Sequence, residues 1–230
     1  MFHNALLVAI EGVDGAGKNT LTNAVAGSLE DAGVRVSRIA FPRYGTLHAD
    51  LAAAALHGHM GDLVDSAYGM ATLFALDRKG ALHPGLGLAA LTAAAREESP
   101  AQPHIILMDR WVASNAAYSA ARTQQPIDQP DGIVEWVADL EFSRFKLPVP
   151  DLTILLDVPV SLARKRAAGR EAADASRSRD LYERDTSLQE RTAAAYRALA
   201  TAQWYGPWLS VAADVDPRAV AEKVLSILPR

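Results

Sequence analysis

An α/β fold, with a mostly parallel sheet of about five strands and helices on both faces, is what this 230-residue sequence predicts. Short apolar runs alternate with longer stretches of helical period, the pattern left by successive βαβ units. The segment Gly12-Val13-Asp14-Gly15-Ala16-Gly17-Lys18 falls where the first apolar run gives way to the first helical one. A glycine-rich turn in that position is built to hold phosphate. No period of roughly 20–50 residues recurs, which excludes stacked-repeat architectures.

The elements follow in order. Leu6–Ile10 (LLVAI) is continuously apolar, as a strand covered on both faces must be. Lys18–Asp31 follows with helical period. Val34–Ala40 returns as a strand and ends in the turn FPRYG (Phe41–Gly45), where proline fixes the chain. Helices are then expected over Thr46–Leu56 and Asp62–Leu82. An Ala-rich helix between Pro and Gly breakers, within His83–His104, reads as variable surface. Ile105–Asp109 is the third strand, followed by helices Val112–Arg122 and Asp131–Phe145, the strand Leu152–Asp157 and a helix over Val160–Ala167. Ala167–Asp180 is small, polar and rich in Arg, and lies between two helices as a closing lid would. Arg184–Ala202, the strand Trp208–Val211 and Pro217–Ile227 complete a chain expected to form one domain over residues 1–230.

Composition narrows the function. The net charge of −4 argues against a general nucleic-acid binder. No apolar run reaches the roughly 18 residues of a membrane span, and the opening MFHNALLVAI lacks the basic start of a secretory signal. Without cysteine there is neither disulfide nor thiolate metal site, which fits a reducing cytosol. His57 and His59 lack any supporting ligand pattern and read as surface residues. Any phosphate site must be a local concentration of Lys, Arg and backbone N–H groups.

The pattern G-x-x-x-x-G-K between a strand and a helix marks a P-loop fold, in which loop amides, the helix N-terminus and Lys18 cradle a triphosphate. The candidate triphosphate contacts run through Gly12, Val13, Asp14, Gly15, Ala16, Gly17, Lys18, Asn19 and Thr20. A hydroxyl that binds Mg²⁺ normally follows the lysine, yet Asn19 stands there. The metal then depends on carboxylates, or the site is a degenerate binder. Asp109 ends a strand near the loop and would fix Lys18 or a metal-bound water, with Arg110 gripping a second phosphate. A simple Asp-Arg helix cap is the alternative.

Phe74 and Arg78 are four apart and share a helical face, as do Asn115 and Tyr118 at a spacing of three. A ring that stacks on a flat ligand and donors that meet its edge would have this arrangement. Taken alone, the first pair is better explained as a core Phe beside a solvated Arg. Arg43 and Tyr44 in the FPRYG turn offer further donors.

The pieces AIEGVDGAGK, FPRYG, MATLFALDR, DRWVASNAAYSAAR and RDLYERD occur in order between Ala9 and Asp185. Together they resemble the thymidylate kinase family, which phosphorylates dTMP to dTDP with ATP, and most of all its mycobacterial form. The resemblance implies thymine stacking by Phe74, base-edge contacts from Arg78 and Asn115, and Tyr118 placed against a ribose 2′-hydroxyl. It implies sugar contacts from Asp14 and Tyr182, acceptor-phosphate contacts from Tyr44 and Arg110, and Phe41 in the same dTMP pocket. Asp14 and Glu183, with Asp109, would lie near Mg²⁺. The mycobacterial branch also lacks the hydroxyl after Gly-Lys, so Asn19 is compatible with activity. The resemblance further implies a cytoplasmic homodimer, with ATP and dTMP as its partners.

Three features depart from the family. Trp111 stands where Tyr or His is usual, the connection His83–His104 is longer, and Gly15 replaces a P-loop arginine found in many members. The missing charge is expected from the lid at about 167–180, first from Arg170, then Arg177 or Arg179, with Arg166 nearer adenine. Lys18, Arg110 and Arg170 are thus the expected catalytic set. A phosphate acceptor is already mostly a dianion at neutral pH and needs no general base, only positioning and charge neutralisation. Two alternatives remain at this point. One is a deoxynucleoside kinase using Asp14 as base; the other is a non-catalytic P-loop regulator, although no Asn-Lys-x-Asp element is present.

Overall fold

The structure is a computed structural model that describes residues 5–98, 103–173 and 180–228. Five strands, β1 (Ala5–Glu11), β2 (Arg35–Ala40), β3 (His104–Asp109), β4 (Leu152–Leu156) and β5 (Trp208–Val211), form one sheet in the order β2-β3-β1-β4-β5. All pairings are parallel, so the strands are joined by crossovers, and helices cover the sheet. Val8, Ile10, Ile105 to Met108 and Ile154 are sealed in the core, which is why the three central strands read as predominantly apolar runs. The edge strands β2 and β5 are half-buried and carry Arg and Ser among their apolar residues.

Register places the site. Ile10 and Ala40 both pair with Asp109. Three strands therefore end level and release their following turns at one edge of the sheet. The chain lays β2 and β3 on one side of β1 and β4 and β5 on the other. The crevice beyond the strand ends, where the order reverses, is where open parallel sheets bind ligands.

The helices are α1 (Lys18–Asp31), α2 (Leu47–Leu56), α3 (Ala67–Gly80), α4 (Gly87–Glu98), α5 (Val112–Thr123), α6 (Ile133–Ala138), α7 (Val160–Ala173), α8 (Leu181–Arg184), α9 (Thr186–Thr201) and α10 (Pro217–Leu225). Among the described residues none is long and apolar enough to cross a membrane. Several differ from the sequence expectation for identifiable reasons. The helix expected over Asp62–Leu82 is a 3₁₀ turn, Gly61–Asp65, and then α3, because the Ser66 hydroxyl accepts from the Gly69 N–H at 3.0 Å and starts a new helix. The one expected over Asp131–Phe145 begins at Ile133 and turns π-helical over Asp139–Arg144.

The Ala-rich α4 is less peripheral than its composition suggests, since Leu88, Ala89 and Thr92 are buried. The expected lid is helical in its first part, because Arg and Ala sustain a helix and α7 runs on to Ala173, placing Arg170 in its last turn. Residues 174–179, with Arg177 and Arg179, lie outside the described residues.

The last long helix starts later than Arg184, at Thr186, where the Asp185 carboxylate accepts from the Leu188 N–H at 3.0 Å and caps α9. That bond, with one from the Ser187 hydroxyl, holds the Asp185 carboxyl below the usual carboxylate range. A depressed pKa stabilises above the unfolded value and loses its effect as pH falls through the folded value. Asp185→Ala is expected to cost about 1 kcal/mol near neutrality. In urea unfolding the gap from the parent chain should narrow below pH ~3.9.

Candidate active site

The turn after β1 is shaped by what cannot be there. Gly15 has φ +78°, and a Cβ on it would sit 2.1 Å from the Ala163 carbonyl oxygen. α7 therefore packs directly on the loop, and Arg166 Nη1 donates to the Ala16 carbonyl at 2.7 Å. Lys18 is buried, and its Nζ donates to the Gly12 and Val13 carbonyls at 3.0 Å each. Burial, helped by Arg110, lowers its pKa to about 8 against the opposing pull of Asp14, Asp109 and Glu11. Asp109 makes no hydrogen bond with Lys18 among the described residues; loop carbonyls fix that ammonium, and the carboxylate acts on it through space. Asn19 and Thr20 are exposed on α1, and the Asn19 Oδ1 accepts from Asn23 Nδ2 at 3.2 Å, one turn further on.

The turn after β3 carries Arg110 at φ 69°, unusual for a residue with a side chain and common where function constrains the backbone. Its Nη2 donates to Asp14 Oδ1, and its Nη1 to the Gly12 carbonyl and the Ser114 hydroxyl, both at 3.1 Å. Tyr118 donates to the other Asp14 oxygen at 2.5 Å. Burial alone would raise the Asp14 carboxyl, but Arg110 and Lys18 outweigh it and bring the pKa down to about 2.

Beneath this pair lies Glu11, absent from the sequence reading. It is fully buried and accepts from the Trp111 N–H at 2.7 Å, the Ser114 hydroxyl at 2.5 Å and the Tyr196 hydroxyl at 2.9 Å. The available signal was an acid closing an otherwise apolar strand. Trp111 is fully buried, meets Phe41 edge-on at 5.0 Å and donates from Nε1 to the Pro148 carbonyl at 3.0 Å. Its indole is thus a core anchor.

A cleft of about 700 Å³, including its open mouth, begins at Asp14 and Arg110 and runs between α3 and α5. Phe41, Tyr44, Phe74, Arg78, Asn115, Tyr118 and Tyr182 all line it, so every expected acceptor contact faces one space. Arg78 is buried rather than solvated, with its Nε 2.5 Å from Glu141 Oε2. Arg43 turns away from the cleft, donating to Asp77 Oδ1 at 2.9 Å, while Tyr44 stays exposed at the mouth. Tyr118 and Tyr182 stack with centroids 6.0 Å apart, and Arg122 donates to the Tyr182 hydroxyl. Arg122 and Asp180 also line the cleft and were not anticipated.

At the lid, Arg170 Nη2 donates to Glu183 Oε1 at 2.8 Å. Burial, then the nearby Asp14, raises the carboxyls of Asp180 to about 6 and Glu183 to about 7. Carboxylates that raise one another signal a surplus of negative charge, and their hard oxygens suit Mg²⁺. Among the described residues no group of three acids or histidines is arranged to hold a metal alone.

A family model described as Thymidylate kinase matches residues 10–206. A thymidylate kinase of Mycobacterium tuberculosis, in strains CDC 1551 and H37Rv alike, is 49% identical over 217 residues, covering 94% of this chain and 95% of that protein. A thymidylate kinase of Xanthomonas campestris pv. campestris is 36% identical over 166 residues, covering 71% of this chain and 62% of that protein.

Proposed function

The chain belongs to the thymidylate kinase family and is a phosphotransferase of nucleotide biosynthesis that phosphorylates dTMP; we propose that it does so by bringing two polyanions end to end across the Asp14–Arg110 pair. The observation that carries this reading is the shared position of that pair, which belongs at once to the P-loop and to the wall of the cleft. ATP lies along residues 12–20 with its phosphates on the loop amides and Lys18. dTMP enters the cleft with its base against Phe74 and its phosphate toward Arg110 and Tyr44.

The dTMP phosphate, with a second pKa near 6, arrives mostly ionised and attacks without a protein base. Lys18 follows the transferring charge, and Arg110 holds the attacking phosphate against its repulsion from ATP. Asp14 and Glu183 would hold Mg²⁺, which when bound neutralises charge between the phosphates. Arg170, in the last turn of α7, supplies the positive charge that Gly15 does not, leaving Glu183 for the phosphoryl group. Arg166, already on the loop backbone, adds to the same field. Arg170→Ala is expected to lower kcat at least about 10²-fold while changing KM for dTMP little, as steady-state kinetics would read. Unchanged turnover would remove Arg170 from this role.

Phosphorylation of a nucleoside hydroxyl would need a free carboxylate base. Asp14 is a poor one, with both oxygens engaged and its pKa near 2. Coupled detection of ADP with dTMP, dUMP, dCMP, thymidine or no acceptor tests the reading. Turnover should require dTMP, stop when EDTA removes Mg²⁺, and be negligible with thymidine; consumption of thymidine in preference to dTMP would overturn the proposal. The working form is a cytoplasmic homodimer, and sedimentation of the purified chain as a monomer at assay concentration would refute that part.

A further inference from the structure

Glu141 lies on the π-helical turn, outside every motif discussed above, and is fully buried. A sealed carboxylate is costly unless it is paired and hydrogen-bonded, and here its partners are two side chains of the cleft wall. Oε2 accepts from Arg78 Nε at 2.5 Å; Oε1 accepts from Arg78 Nη2 at 2.7 Å and from Asn115 Nδ2 at 2.8 Å. The Asn115 Nδ2 also donates to the Ala71 carbonyl at 3.0 Å. A carboxylate and a carbonyl can only accept, so the amide has one permitted orientation, with its nitrogen inward and Oδ1 left over. On the guanidinium, Nε and Nη2 are used and Nη1 is left over. Neither leftover atom is among the sealed, unpartnered polar atoms of the described residues, and both side chains line the cleft with Phe74.

The wall therefore offers one donor and one acceptor beside an aromatic ring. A 4-oxo pyrimidine presents the complement, an O4 acceptor next to an N3–H donor, whereas a 4-amino pyrimidine presents the reverse. We propose that Glu141 is the positioning residue for base selection, fixing Arg78 Nη1 and Asn115 Oδ1 as the pair that receives a 4-oxo pyrimidine and refuses a 4-amino one. The inference rests on the reading of the cleft as the dTMP site. Without the Glu141 oxygen the Asn115 amide keeps only the Ala71 carbonyl as an inward acceptor, so turning its nitrogen outward to meet the N3 acceptor of cytosine breaks one hydrogen bond instead of two. The C5 methyl lies outside this device, so dTMP and dUMP present the same edge to it.

The test compares kcat/KM for dTMP, dUMP and dCMP in the parent chain and in Glu141→Gln and Glu141→Asp. Asp keeps the charge beside Arg78 while withdrawing its oxygens by one methylene, so it guards against a Gln variant that leaves the buried guanidinium underpaired. The parent should favour dTMP over dCMP by at least about 10³-fold, since a site with buried polar groups rejects a mismatched edge strongly. Each variant should cut that ratio at least ~10-fold, chiefly through KM, with the dTMP-to-dUMP ratio unchanged. A purely structural role would lower all three acceptors together and leave both ratios alone, and that outcome overturns the proposal. A parent chain indifferent between dTMP and dCMP would instead sink the underlying reading of the cleft. If neither variant folds, 3-methyl-dTMP decides with the unaltered chain. Lacking the N3 donor, it should bind at least ~10-fold more weakly than dTMP, and equal binding overturns the assignment.

Discussion

Arg110→Ala is expected to lower kcat/KM for dTMP by at least about 10³-fold, the scale at which an arginine that neutralises phosphoryl transfer is felt. The reason lies in how many functions meet at this guanidinium. It pairs with Asp14, braces the P-loop through the Gly12 carbonyl and reaches the Ser114 hydroxyl above Glu11. On the proposed mechanism, removing it takes positive charge from the attacking phosphate; it also frees Asp14, whose pKa rises once its main counter-charge is gone. Arg110→Lys should recover only part of the loss, because an ammonium cannot bridge the carboxylate and the loop carbonyl in a planar fork. Steady-state kinetics with ATP and dTMP varied separately would read the effect, with the larger change on the dTMP side. Parent-like kinetics in a folded Arg110→Ala protein would remove the pair from the centre of the mechanism.

Gly15→Arg is expected to abolish activity to the same order, at least about 10³-fold, although it copies the P-loop arginine of many relatives. Two independent constraints act at this position. The backbone is at φ +78°, which residues with a side chain adopt at a cost of order 1–3 kcal/mol. Any Cβ also meets the Ala163 carbonyl at 2.1 Å, so α7 would have to lift off the loop and carry Arg166 and Arg170 with it. Gly15→Ala should show much of the same loss, which separates collision from charge. Thermal unfolding would report the loosened contact, and kinetics the loss of turnover. An active Gly15→Arg variant would mean that α7 moves freely and that the lid arginines are dispensable.

The two substitutions mark the limits of sequence reading. The P-loop, the five strands and the pairing of Phe74 with Arg78 and of Asn115 with Tyr118 follow from local rules, since residue spacing along a helix or strand fixes which side chains share a face. The breaks at Ser66 and Asp185 were less legible, because a capping side chain within a long helical pattern competes with the periodicity around it. The variable look of α4 came from composition alone, and burial of Leu88 depends on what lies across from it.

Glu11 and Glu141 were illegible for a stronger reason. Each takes its meaning from partners far along the chain, Ser114 and Tyr196 for one and Arg78 and Asn115 for the other. The sequence by itself determined the parallel α/β sheet, the glycine-rich loop and nearly all the side chains that line the cleft. The tertiary structure alone decided that Arg110 is clamped to Asp14, that Gly15 has no room for a side chain, and that buried carboxylates aim the residues of the cleft. Hydrogen bonds and close contacts between distant segments follow from where the sheet brings those segments together, and no local pattern encodes that geometry.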